Sequence, residues 1–155
     1  MRKIIFIAGT AILTLCMTAC KMQNRTSNNA STEVSAEKVN LTLAGNHWKL
    51  FELFGNPVNA DETNNKEPYV VFEKEDNRFN GDAGCNRIVG SYQIEEPDRI
   101  IFSQVVATRM MCINMETEDK FLQVINTADT YTIENDTLTL SHAQTPLARF
   151  VAVSE

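Results

Sequence analysis

The chain has 155 residues, 43% apolar and 22% charged, the proportions of one ordinary globular domain. Its net charge of -6 and the lack of a basic stripe argue against nucleic acid as a partner and against broad contact with anionic lipid headgroups. Any attachment to a membrane has to come from a dedicated segment.

The N-terminus offers one. Met1-Arg2-Lys3 is a short positive stretch, and residues 4–19 are uncharged and mostly apolar. Sixteen residues from Ile4 to Ala19 are short of the roughly twenty that span a bilayer, but suit the apolar region of an export signal. The stretch ends in Met17-Thr18-Ala19-Cys20, which resembles the bacterial lipobox, with Met17 where Leu is usual. Cys16 competes, but bulky Leu15 precedes it where a small residue is wanted. A plain signal peptide or an uncleaved anchor are the alternatives. The expectation is a signal peptide over residues 1–19, cleavage before Cys20, and a diacylglycerol thioether plus an amide-linked acyl chain of the palmitate type on Cys20. Each buried methylene then contributes about 0.8 kcal/mol to anchoring. Loss of Arg2 and Lys3 takes the charge from -6 to -8. Lys21 follows, with no Asp to signal inner-membrane retention, so an outer-membrane address in the cell envelope is expected. Residues 20–40 are rich in Asn, Ser and Thr and lack aromatics. They cannot bury enough apolar surface to offset their ordering entropy, and the spacing suits a flexible tether with a reach of about 25 Å.

Residues 41–155 carry the packing signals. His47 to Leu53 is a strand candidate with Trp48, Leu50 and Glu52 alternating against Lys49 and Phe51, ending at a Gly55-Asn56-Pro57 turn. Asp61 to Glu67 is a polar loop. Tyr69 to Glu73 and Arg78 to Asp82 read as strands pairing across Glu75-Asp76-Asn77. Gly84 to Gly90 looks like a shaped connection, Ser91 to Ile94 a short strand, and Arg99 to Ser103 another after Pro97-Asp98. Val105 to Cys112 is ambiguous. A helix follows, capped by Asn114, with Glu116, Glu118 and Asp119 at its positive end and an apolar stripe of Phe121, Leu122, Val124, Ile125 and Ala128. Tyr131 to Glu134 and Thr137 to Leu140 form a hairpin about Asn135-Asp136, and Leu147 to Val153 is the last strand after Pro146. The expected fold is mainly β (α+β): a small antiparallel barrel-like sheet of seven or eight short strands with one packed helix.

Once Cys20 is acylated, Cys85 and Cys112 are the thiols left. Export exposes them to oxidising conditions, so they form either one disulfide or two separate buried thiols. The 27-residue spacing would make a disulfide worth about 3–4 kcal/mol. Around these cysteines Gly81-Asp82-Ala83-Gly84-Cys85-Asn86-Arg87-Ile88-Val89-Gly90-Ser91-Tyr92 resembles the Gly-Cys-Asn…Gly-x-Tyr signature of the META domain, the HslJ-like lipoprotein family. Thr108-Arg109-Met110-Met111-Cys112 resembles its second signature, and Gly45, Trp48 and Leu50 fit its opening strand. The resemblance spans residues 43–153. It implies a small β-rich barrel-like domain with a helix, pairing of Cys85 with Cys112, and a lipoprotein linked to heat or envelope stress, with no enzymatic activity attached.

Each motif residue also has a plain structural reading. Gly81, Gly84 and Gly90 supply positive φ or close approach. Asn86 bonds turn backbone. Tyr92 and Trp48 read as core ahead of binding platform. Met110, Met111 and Met115 read first as core filling, with a soft partner surface as the alternative. Arg109 binds an anion or carboxylate, or pairs with an acid of its own chain.

His47 and His142 lie in unrelated contexts, and no nucleophile elbow, zinc helix or phosphate loop is present. No catalytic residue, metal site or cofactor is therefore expected. The expected function is a non-catalytic envelope binding or stress module with a protein partner and a membrane reached through lipid. The rivals are a surface protease inhibitor, contacting through residues 56–66 or the segment before Cys112, and a carrier of a small apolar ligand.

Overall fold

A computed structural model gives the architecture of residues 41–64 and 66–153. The expected leader, lipidated Cys20 and most of the tether lie outside the described residues. Nine antiparallel strands form one sheet: β1 (His47–Leu53), β2 (Asn56–Pro57), β3 (Tyr69–Phe72), β4 (Arg78–Asp82), β5 (Arg87–Glu95), β6 (Arg99–Ala107), β7 (Thr130–Glu134), β8 (Thr137–His142) and β9 (Thr145–Val153). One helix, α1 (Glu116–Thr127), stands between β6 and β7, and a single 3-10 turn, Ala60–Thr63, between β2 and β3. Since β1 pairs with both β3 and β9, the sheet closes on itself, with β2 hanging beside β1. This is the mainly β, ring-like sheet with one helix that the strand pattern predicts.

The ring is uneven. β5 and β6 pair over most of their length, whereas β6 and β7 share only the Arg99–Thr130 pair. At that seam the chain leaves the sheet for residues 108–115 and α1 before returning as β7.

Two bulges explain where simple alternation fails. Opposite β9, Phe51 is an extra residue in β1, between the pairs Leu50–Phe150 and Glu52–Arg149. The inward set is therefore Trp48, Leu50 and Leu53, and Glu52 instead faces Arg149 at 3.4 Å. In β6, Gln104 and Val105 both lie opposite Gly90, and Gln104 adopts φ 53°. The expected strand of residues 99–103 thus continues through the bulge to Ala107.

Other boundaries shift as well. Gly84–Gly90 is only partly a loop, because β5 begins at Arg87. The turn expected at 55–57 is made by Phe54 and Gly55, both with positive φ, and Asn56–Pro57 are paired as β2. Pro146 lies inside β9 rather than before it, beyond a register shift and opposite Ser141.

The barrel interior is filled by Trp48, Phe72, Phe79, Phe121, Phe150 and Leu138, all essentially inaccessible. The Trp48 indole N–H is satisfied by the Leu43 carbonyl at 2.8 Å. Phe72 meets Tyr92 edge-on with centroids 5.0 Å apart. Helix α1 contributes Phe121, Val124 and Ile125 to this core. Its N-cap position is Met115 rather than Asn114, but the Asn114 Oδ1 accepts the Glu116 N–H at 2.9 Å, so the side chain expected to cap does so from one residue further out. Lys120, one turn on, holds Glu116 at 2.7 Å and draws its carboxyl below the usual glutamate value.

Candidate functional site

The two cysteine-containing segments come together just beyond the paired start of β5 and end of β6. Cys85 and Cys112 form a disulfide with their Cα atoms 6.0 Å apart. This ties the loop between β4 and β5 to the segment between β6 and α1. The loop itself is built locally. The Asp82 Oδ1 accepts the Gly84 N–H at 2.8 Å, and Gly84 sits at φ 104°, a conformation that disfavours any other residue. Lys66 reaches in from the β2–β3 connection and donates to the Cys85 carbonyl at 2.8 Å and to Asp82 at 3.3 Å.

Asn86 is the hub. It is 1% exposed, and all its polar groups are engaged. Its Oδ1 accepts from the Thr108 hydroxyl and the Met110 N–H, both at 2.7 Å. The two Nδ2 hydrogens are shared between the Glu118 carboxylate, at 2.9 and 3.0 Å, and the Met110 carbonyl at 3.1 Å. The Asn86 N–H donates to the same carboxylate at 2.8 Å, and the Ala83 N–H donates to the Asn86 carbonyl at 2.9 Å. Glu118 is only 5% exposed, so these N–H groups stand in for the water it gave up. The local turn-bonding role expected of Asn86 is a small part of what it does. Its principal bonds run 22 to 32 residues away.

The other motif residues divide by place. Gly81 and Gly90 lie in strands and are needed for close approach. A Cβ on Gly81 would stand 2.2 Å from the Tyr69 carbonyl oxygen, and one on Gly90 would stand 2.5 Å from the Phe79 ring. Tyr92 is buried and donates to the Glu73 carbonyl at 2.9 Å. Burial, with Tyr131 and Glu73 nearby, raises its phenol above the ordinary 10.0. Trp48 belongs to the core, remote in role from the cysteines.

Residues 108–115 form a ledge on this hub. None has a positive φ, and none belongs to a helix or a ladder. Alternate residues are fastened. The Thr108 N–H donates to the Arg87 carbonyl at 3.0 Å, Met110 is gripped through both peptide groups by Asn86, and Cys112 is held by the disulfide. Asn114 is clasped by the Asn64 side chain, accepting at 2.8 Å and donating at 3.3 Å. The residues between them differ. Among the described residues, Arg109, Met111 and Ile113 have no hydrogen-bond partner or ion pair. The alternation is that of an extended chain fastened along one edge only.

Those three residues face solvent. Arg109 is exposed, Met111 is 97% exposed and Ile113 fully so, and the side chain of fastened Met110 is also 52% exposed. Core filling, the first reading of the methionines, therefore holds only in part for half-buried Met115 and fails for Met110 and Met111. The latch on their neighbours explains it: the backbone is fixed with these side chains outward, so they cannot turn into the core. Four participants escaped sequence reasoning. Glu118 had a sufficient local explanation as a helix-start charge. Lys66 and Asn64 gave no signal, and Ile113 looked like any apolar residue beside a cysteine.

A family model described as META domain matches residues 39–154. Among solved structures, the chain is similar to an NMR structure of a protein from Burkholderia xenovorans, with TM-score 0.60 and 18% identity over 73% of this chain and 85% of that one. A second NMR structure, of a protein with no stated source, gives TM-score 0.56 and 23% identity over 70% and 91% of the two chains. The crystal structure of a DUF4847 family protein from Bacteroides vulgatus gives TM-score 0.53 and 16% identity over 73% and 96%. These likenesses concern the fold. A comparison with curated proteins finds no match.

Proposed function

Because the chain belongs to the META domain family, we propose that it is a non-catalytic binding module of the bacterial cell envelope, held on the outer membrane by lipid on Cys20 and engaging a protein partner through the ledge of Arg109, Met111 and Ile113. The observation that carries the reading is that a segment fastened at every second residue presents two fully exposed apolar side chains. An isolated exposed apolar residue is ordinary, but rigid presentation of adjacent ones marks contact surfaces. The non-catalytic reading is supported by the hub, where the buried Asn86 and Glu118 groups are consumed by bonds within the fold. His47 stacks on Tyr69 and His142 contacts Asp129 at 2.9 Å, each on a strand outside the segments that form the hub. Among the described residues, aromatic side chains pack the barrel interior, which weighs against the carrier reading. A surface depression of about 590 Å³ is lined by Val71, Phe72 and Val153 as well as Glu73, Lys74, Glu75 and Asp76, and that run of charged residues weighs against an apolar guest.

Two measurements test the proposal. Metabolic labelling with an alkyne fatty acid should mark the mature protein, and Cys20→Ala should release it to the aqueous fraction; unlabelled native protein contradicts the anchor. A photo-crosslinking residue at position 113 should give one dominant adduct in envelope preparations that is lost in Cys112→Ser. Absence of any specific adduct contradicts the ledge as a contact surface.

A further inference from the structure

We infer that the ledge enters the substrate cleft of a serine endopeptidase and inhibits it, with the Met111 side chain in an apolar specificity pocket and the Met111–Cys112 peptide bond at the catalytic serine. The inference rests on the ledge being a contact surface and names its partner. Three features carry it.

The first is register. A polypeptide added to a sheet or cleft as a strand is bonded through alternate residues. With Met111 preceding the scissile bond, the residues whose peptide groups must be available are Arg109, Met111 and Ile113. These three have no internal partner among the described residues, Cys112 is held through its sulfur alone, and Thr108, Met110 and Asn114 have their N–H groups bonded inward. The second is side-chain access. Met111 is unbranched, apolar and 97% exposed, the shape of residue that an apolar specificity pocket accepts.

The third feature separates an inhibitor from a substrate. In the acylation step, the serine oxygen bonds to the Met111 carbonyl carbon as the C–N bond to Cys112 breaks. The serine proton passes through the enzyme's histidine to the departing Cys112 nitrogen. In an ordinary substrate that amine diffuses away and water takes its place. Here both sides of the bond are held by adjacent residues. Cys85 holds Cys112, the amine side, covalently, and Asn86 holds Met110, the acyl side, by its N–H and carbonyl. The amine stays beside the acyl carbon, and re-formation of the peptide bond outruns hydrolysis. Because Asn86 is itself fixed by Glu118 of α1, the restraint is backed by the barrel core.

The test uses the oxidised mature protein against a chymotrypsin-type and a subtilisin-type endopeptidase, both with apolar specificity pockets, and a trypsin-type enzyme that requires a basic residue. The expected result is stoichiometric one-to-one inhibition of at least one of the first two. Met111→Asp should weaken it by about 100-fold or more, since a carboxylate would enter an apolar pocket unpaired, and Met111→Lys should transfer inhibition to the trypsin-type enzyme. Both changes are at an exposed side chain, and unchanged circular dichroism checks the fold. Reduced and alkylated protein should instead be cut between residues 111 and 112 and released. If the oxidised protein inhibits none of the enzymes, or is cut without inhibiting, the inference is overturned. A single adduct at position 113 to a protein that is not a peptidase would overturn it while leaving the ledge as the contact surface; no adduct and no inhibition would remove both.

Discussion

The barrel and the ledge are ordered by opposite means. In the barrel, apolar side chains are inside, and backbone groups are satisfied by neighbouring strands all the way round except at the β6–β7 seam. In the ledge, apolar side chains are outside, and order comes from a disulfide, two asparagine side chains and a buried glutamate. The comparison teaches that burial is needed to form the domain, whereas a surface that must stay exposed is ordered by polar and covalent restraints borrowed from the domain beneath it. α1 joins the two. Phe121 on one turn packs on Phe150 in the core, and Glu118 on the turn before it holds the hub.

Substitutions that strike one region and spare the other sharpen this contrast. Phe121→Ala should have the largest effect, a loss of about 3–5 kcal/mol in denaturant unfolding, and should weaken barrel and ledge together. Asn86→Ala should cost about 3 kcal/mol because it strips the buried Glu118 carboxylate of its side-chain donor, leaving it the residue-86 backbone N–H, and unfastens Thr108 and Met110. Unlike the core change, it should open residues 108–115 to limited proteolysis while the near-ultraviolet signal of Trp48 persists.

These two residues also mark how far the sequence could be read. Phe121 was legible as core because its stripe repeats at helical spacing within one element. So were the strands between bulges, where alternation is a local property. The bulges at Phe51 and Gln104 were not, because they arise from register against a partner strand and not from the residues themselves. The resemblance around Cys85 and Cys112 placed the hub, but not its wiring, since Asn86 finds its partners across long separations. Met110 and Met111 were misleading for a general reason: an apolar residue favours burial unless something fixes its backbone, and what fixes it here lies on other segments.

Smaller effects should follow the same division. Tyr92→Phe removes a single buried hydrogen bond to Glu73 and should cost about 1 kcal/mol at neutral pH. The folded state keeps the Tyr92 proton beyond pH 10.0 while the unfolded chain releases it near that value. The stability this confers is present in full below that pH and is lost as pH rises through the raised folded value. Alkaline unfolding curves should therefore fall less steeply for the Phe variant than for the parent. The smallest effect belongs to the surface. Met111→Ser should change stability by no more than about 0.5 kcal/mol, while abolishing the inhibition assigned to Met111 and weakening the cross-link formed by a photo-reactive residue at position 113.

Residue-resolved amide hydrogen exchange across residues 108–115 tests the ledge most directly. Slow exchange at Thr108, Met110 and Asn114 with fast exchange at Arg109, Met111 and Ile113, and collapse of the Met110 protection in Asn86→Ala, is the pattern that a chain fastened along one edge must show. Uniformly fast exchange through the segment, or uniform protection, would contradict it.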